Sequence, residues 1–458
     1  MTLSALQKEF SILIKLAYPI FFAQLALTGL GFLDTLMSGW VGRDDLAAIG
    51  LGSSLFLPVF MIATGILLAL TPIIGQLVGS QQTQKIAPAL AQGLWLALPL
   101  GLLSALLLIK VAWILDFLQL TPKVYQLTES YLSYVAWGLP GIALYQALRF
   151  FWEGLGHTLP TMYFSFFALM LNIPLNGLFI YGLPGWVEAY GAAGCGIATS
   201  LVMWSMLIAA LFYVWRHAEM GHFVQQALRI APSWQLGSRD ILSIGVPNTL
   251  AFLFEVGLFS FIALFVAKLG TLSLASHQVA ISYTSMAYML PLSLSLALSV
   301  RTAKAYGQKN SDQLKVIMLT GLGGALLMGL CLALITFLFR DLIVSFYTTD
   351  KEVVQLASLL LIYAALYQVP DAIQSTSAGI LRGMGKTKYT MVVTFIAYWL
   401  VGLGGGYLLA FSEVDGRSMG VSGFWLGIVL GLSLAALLLF WRVWQQFGQF
   451  KASINRNN

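Results

Sequence analysis

The sequence predicts an all-α polytopic membrane protein. Its twelve transmembrane helices fall into two six-helix bundles related by a pseudo-two-fold along the membrane normal. Three observations lead there: apolar runs long enough to span a bilayer, a scarcity of charge, and a repeat at half the chain length. Hydrophobic residues make up 59% of the 458 residues and charged ones 9%, with a mean hydropathy of +0.84. A soluble domain carries about 25% charged residues, so this surface must face lipid. The runs are long and continuous, which fits helices; strands of a barrel would read as short alternating segments.

The apolar runs lie at 11–38, 46–78, 93–115, 129–152, 162–183 and 193–215, then at 240–267, 275–303, 316–339, 353–380, 389–411 and 419–444. Each exceeds or approaches the ~20 residues that a helix needs to cross ~30 Å of hydrocarbon. The first run is too long for a signal-peptide core and reads as a retained helix. Residues 217–238, with Pro232, Ser233, Gly237 and Ser238, read as a cytoplasmic linker containing a short interfacial piece near Phe223–Ile230. The expected lobes are therefore 1–216 and 239–458. With the N-terminus inside, only Arg43, Lys110, Lys123, Lys268, Arg340, Lys351 and Arg417 fall on the outer side, out of 24 basic residues. That bias places both termini in the cytoplasm.

The halves repeat. Gly154-Leu-Gly156-His-Thr158 recurs as Gly383-Met-Gly385-Lys-Thr387, and Pro19, Gly42 and Gly79 recur as Pro247, Gly270 and Gly307. Six helices per copy make the repeats parallel, with a binding cavity expected between them.

Three of the eighteen carboxylates stand well inside spans: Asp34, Glu255 and Asp371. An ionised group there costs from about 2.5 kcal/mol upward. Such residues serve protons, metal cations or cationic substrates, unless they sit near an interface or are satisfied by a neighbouring donor. Pro370 releases the carbonyl of Leu366 one turn before Asp371, and Tyr367 shares a helix face with Asp371. In the other half, Asn172 and Asn176 flank Pro174 on one face, where they join Asp34 or bond between helices. A desolvated carboxylate that exchanges a proton or sodium ion for a cationic substrate is the physical core of an antiporter. Cys195 and Cys331 read as small core residues.

Taken together, Ala17-Tyr-Pro19, Leu33-Asp34-Thr35, Asn172-Ile-Pro-Leu-Asn176, Gly194-Cys-Gly-Ile-Ala-Thr199, Phe254-Glu255, Ala275-Ser-His-Gln278, Tyr367-Gln-Val-Pro-Asp371 and the paired Gly-x-Gly loops resemble the multidrug and toxic compound extrusion (MATE) family, in its NorM-like branch. The resemblance spans essentially the whole chain. It implies export of cationic or amphiphilic compounds in exchange for Na+ or H+, by alternating access, with no other cofactor. It further implies a cation site at Glu255 and Asp371 with Tyr288 and Tyr367 as its aromatic lining. Asp34 becomes the acid of the first lobe, with Asn172, Asn176 and Thr199 around it, and Gln278 and Asp350 become substrate contacts. Relatives that rely on the first lobe alone carry a second acid where this chain has Asn176. That departure favours Na+ at Glu255 and Asp371.

The implied setting is a bacterial inner membrane, with a monomer embedded in lipid and small-molecule cargo. A flippase for lipid-linked precursors, from the same wider superfamily, is the alternative. Nucleic acid is excluded because the basic residues form no stripe. No Gly-x-x-x-x-Gly-Lys-[Ser/Thr] loop is present for ATP. The four histidines do not cluster as zinc ligands. Asp34 follows Gly31-Phe-Leu rather than the Gly-x-Gly pattern of an intramembrane aspartyl protease, so no enzyme is expected.

Overall fold

The computed structural model describes residues 3–118, 120–412 and 419–457; Arg417, counted above on the outer side, lies outside them. Among the described residues the chain is helical, with one isolated extended pairing between Leu183 and Val187. Lipid offers no partners to backbone N–H and C=O groups, so each spanning segment must satisfy its own.

Among the described residues, eleven helical stretches are long and apolar enough to cross a membrane. The twelfth is broken into α5 (Pro122–Ala136) and α6 (Leu139–Leu155). Pro140 has no N–H to return to Ala136, which ends one piece and starts the next. Lys123, Glu129, Arg149 and Glu153 also dilute its hydropathy. In chain order the other helices are α1 (Leu3–Val41), α2 (Arg43–Leu67), α3 (Leu70–Gly79), α4 (Ile86–Val111), α7 (Leu159–Tyr181), α8 (Ala192–Arg216), α9 (Ala218–Ala227), α10 (Arg239–Ala267), α11 (Thr271–Gly307), α12 (Ser311–Ser345), α13 (Lys351–Gly383), α14 (Thr387–Thr394), α15 (Gly406–Phe411) and α16 (Val421–Asn457). Between α14 and α15, Phe395–Gly405 winds as a π-helix.

The repeated Gly-x-Gly loops have a backbone reason. Gly156 ends α6 at φ 98°, and Gly385 follows α13 at φ 73°. Both sit in the left-handed region where a side chain is strained.

The chain forms two compact units, Phe22–Thr249 and Met1–Phe21 with Leu250–Asn458. In the first, α4 packs on α6, and α8 packs on α5, α6 and α7. In the second, α13 is the central helix, packed on α11, α12 and α16, and α16 also covers the π-helix. That last approach is close enough that a Cβ on Gly427 would collide with the carbonyl of Gly402.

These limits differ from the expected 1–216 and 239–458, and the reason is symmetric. Both α1 and α10 change unit two residues after a proline, Pro19 and Pro247. A proline cancels one helical hydrogen bond, which lets the two ends of one helix join different packing groups. Leu13 thus belongs to the core of the second unit, where Glu9 binds Arg301 through two contacts of 2.7 Å. Gly245, by contrast, packs against Ile66 in the first.

The linker is also built into the first unit. Gln92 of α4 donates to the carbonyl of Ala231 at 3.1 Å. Its Oε1 accepts from Ser233 N at 2.7 Å and Ser238 Oγ at 3.0 Å. Trp95 Nε1 donates to the carbonyl of Ile230 at 2.9 Å. The expected interfacial piece is α9, which starts earlier than Phe223 and stops before Pro232. Cys195 is buried as expected, whereas Cys331 is exposed on α12, a helix that presents much of its surface outward.

Candidate functional site

In the first unit, α1 and α7 place a carboxylate between two amides. Asn176 Nδ2 donates to Asp34 Oδ1 at 2.7 Å, and Asn172 Nδ2 donates to the same oxygen at 3.2 Å. The two asparagines are one turn apart on α7, and Asn176 Nδ2 also reaches Asn172 Oδ1 at 2.9 Å. Asp34 is 8% exposed. Cys195 and Thr199 of α8 lie against its carboxylate. Among the described residues, Asn176 Oδ1 has no hydrogen-bond partner. The cluster therefore offers more acceptors than donors, which suits a proton or a monovalent cation.

In the second unit, α10, α11 and α13 bring a second group together. The Tyr288 side chain lies against the Glu255 carboxylate, and the Ser375 side chain lies against Tyr288. Asp371 is buried, within electrostatic reach of Glu255, and accepts from Gln374 Nε2 at 3.4 Å. Tyr367 lies against Trp425 with ring centroids 6.2 Å apart, and its hydroxyl meets Thr284. Tyr398, on the π-helix, is fully buried within reach of both carboxylates, and its hydroxyl has no partner among the described residues. Two carboxylates, hydroxyls and an amide form a set of hard oxygen ligands suited to a small cation. No group of three or more His, Cys, Asp or Glu among the described residues is arranged for a metal.

Other expected residues stand elsewhere. Asp350 caps α13, its Oδ1 accepting from Glu352 N at 2.9 Å. Gln278 is exposed on α11. Leu366, whose carbonyl Pro370 releases, is on the exposed flank of α13, about 140° around the helix from Asp371. Asn248 and Thr249 are occupied in packing: Asn248 donates to the carbonyl of Gly65, and Thr249 to that of Gly245.

The charges buried within spans are not all acidic. Arg149 and Glu153 form an ion pair of 2.8 Å inside the first unit. Thr161 donates to the same Glu153 oxygen, and Trp152 Nε1 to Thr161. Arg382 is 3% exposed in the second unit. All three lie near helix ends, where sequence position suggests loops. Their i, i+4 spacing is the signal that could have exposed Arg149 and Glu153 as a pair. Gln374 and Ser375, three and four residues after Asp371, were legible by the same rule. Tyr398 was not, because the π-helix rotates its face away from the 3.6-residue register.

Long lipid-facing helices with acids buried in their middles, in two sequence-related units, define a secondary transporter rather than an enzyme. The sequence model of the MatE family matches residues 19–178 and 247–408. The multidrug resistance protein NorM of Aliivibrio fischeri is 38% identical over 96% of this chain and 95% of that protein. The multidrug resistance protein MdtK of Yersinia pseudotuberculosis is 40% identical over 95% of each. The fold matches a crystal structure of MATE in a bent conformation with a TM-score of 0.87, at 21% identity and 99% coverage of both chains. The chain belongs to the MatE family, whose members are ion-coupled antiporters.

Proposed function

We propose that the protein exports cationic and amphiphilic drugs in exchange for Na+ entering at Glu255 and Asp371. The observation that carries this reading is the pair of carboxylates, Asp371 buried and Glu255 half-buried, with Tyr288, Ser375 and Gln374 arranged around them. Two acids in low dielectric are unfavourable while empty. A bound cation relieves that cost, and so does a cationic drug. Ions and drug therefore compete, and each promotes release of the other as access alternates. Asp34 with Asn172 and Asn176 forms a second acid site, taking a proton or contributing to drug binding. The setting is the bacterial inner membrane with both termini cytoplasmic, and the transporter works as a monomer in lipid, without ATP.

The test is efflux of ethidium from liposomes holding the purified protein, with Na+ and H+ gradients imposed separately. Efflux driven by Na+ alone is the expected result. Efflux driven only by H+ would move the coupling site to Asp34. No efflux under either gradient would overturn antiport of drugs.

A further inference from the structure

The second unit carries a groove bounded by the first half of α1 and by α11 and α12. Its α1 wall runs from Phe10 to Phe21 at i, i+3, i+4 spacing, and its α12 wall from Thr320 to Cys331. The cavity measures about 390 Å³, and among the described residues no charged side chain lines it. Gly324 holds the space open: a Cβ there would meet only the Phe10 ring, at an ordinary 3.8 Å. Leu327, on the rim, is 61% exposed, and α12 continues outward with exposed Leu330, Leu334 and Leu338. The groove therefore opens on a surface that turns to lipid.

Length and one polar group identify what fills it. Each wall rises through eleven residue steps, about 16 Å at 1.5 Å per residue. That is one leaflet, half of the roughly 30 Å hydrocarbon core. As first and ninth spans, α1 and α12 start on the same side of the membrane, and in the orientation proposed above this is the inner leaflet. Gly324 stands level with the Phe10 ring at the start of the groove, and Thr320 lies one turn nearer the membrane surface, at the mouth. Thr320 is 8% exposed, and its hydroxyl has no hydrogen-bond partner among the described residues. Ser293, which also lines the groove, bonds back to the carbonyl of Met289 at 2.6 Å, as helical hydroxyls commonly do. Thr320 does not, which leaves a donor that hydrocarbon cannot satisfy.

We propose that this groove binds one acyl chain of a glycerophospholipid, whose ester carbonyl accepts a hydrogen bond from Thr320. The chain fills an apolar slot one leaflet long, and its ester falls at the mouth, where hydrocarbon gives way to headgroups. A cationic drug finds no acid here to offset its charge, so the groove suits a neutral tail. The bound chain packs the part of α1 before Pro19 against α11 and α12, which makes lipid a component of the second unit. The site is separate from ion and drug exchange, and rests on the function proposed above only for the name of the leaflet.

The experiment uses the purified full-length protein in nanodiscs, with a diester phosphatidylethanolamine carrying a photoactivated diazirine in one acyl chain. Cross-links are mapped by peptide mass spectrometry and competed with unlabelled diester or diether lipid of equal chain length. No ion gradient or drug transport enters the readout, so failure of the antiport reading would leave this result standing. Cross-links should concentrate within 10–21 and 320–331, and the diester should displace the probe about fivefold better than the diether, the worth of one net hydrogen bond. Thr320→Val should erase that preference. Gly324→Leu, which fills the groove, should lower labelling there at least threefold and leave 334–338 unchanged. Labelling spread evenly over the exposed face of α12 would mean an unselective lipid shell and overturn the proposal, as would equal competition by diester and diether. Displacement of the probe by ethidium would assign the groove to cargo instead and overturn it too. Should Gly324→Leu not fold, the diester and diether comparison on the unaltered protein still decides the matter.

Discussion

At the scale of single residues, what distinguishes this chain is where it buries charge and what it places beside it. Among the described residues, Glu255 and Asp371 have hydroxyl and amide neighbours to offset their desolvation. The Arg149–Glu153 pair, by contrast, is neutral and multiply bonded. The first arrangement can trade one cation for another, while the second resists change. Glu255→Gln and Asp371→Asn should each reduce gradient-driven efflux more than tenfold, because a neutral amide removes the charge for which ion and drug compete. The elution profile of the purified protein should be unchanged. Normal efflux by both variants would refute the assignment. Asp34→Asn should also impair efflux, since the two asparagine amides that now donate to a carboxylate would face a group that is partly a donor itself. These acids were readable from the sequence because an ionisable residue in mid-span has few other uses. Arg382 and Glu153 were not, because position near a helix end does not reveal burial.

At the scale of elements, the segment between the halves is fastened rather than loose. One side chain, Gln92, makes three hydrogen bonds to residues 231–238. Gln92→Ala should cost about 2–4 kcal/mol at roughly 1 kcal/mol per bond lost. It should speed proteolysis within 228–238, and an unchanged cleavage rate would contradict this account. The loop after α6 meets the same region. His157 lies with its ring centroid 5.8 Å from that of His217. Partial burial holds the His157 imidazole below the ordinary histidine range, against an opposing pull from Glu219. Its contribution is therefore complete above about pH 6.5 and is lost as pH falls through the lowered value. Acidification toward pH 5 should loosen the linker in a protease assay, and His157→Asn should flatten that dependence.

At the scale of the whole molecule, two prolines related by the repeat mark where α1 and α10 pass from one compact unit to the other. The second unit therefore draws part of its core from the first twenty-one residues of the chain. Glu9 and Arg301 are 292 residues apart in sequence, yet they share two 2.7 Å contacts with side chains largely buried. Glu9→Ala should leave Arg301 unpaired and destabilise that unit by about 3 kcal/mol, seen as an earlier melting transition. An unaltered melt would place the ion pair at the level of an exposed bridge.

The sequence by itself determined the class of architecture, the repeat, the number of spans and the three acids in mid-span. Each of these follows from transfer free energy and periodicity, which act on a segment without reference to its neighbours. The tertiary structure alone decided which unit owns each end of α1 and α10. It decided that Asp350 caps a helix, that Tyr398 faces the acids from a π-helix, and that Arg149, Glu153 and Arg382 are buried. Those depend on contacts between residues far apart in the chain, and hydropathy carries no record of such partners.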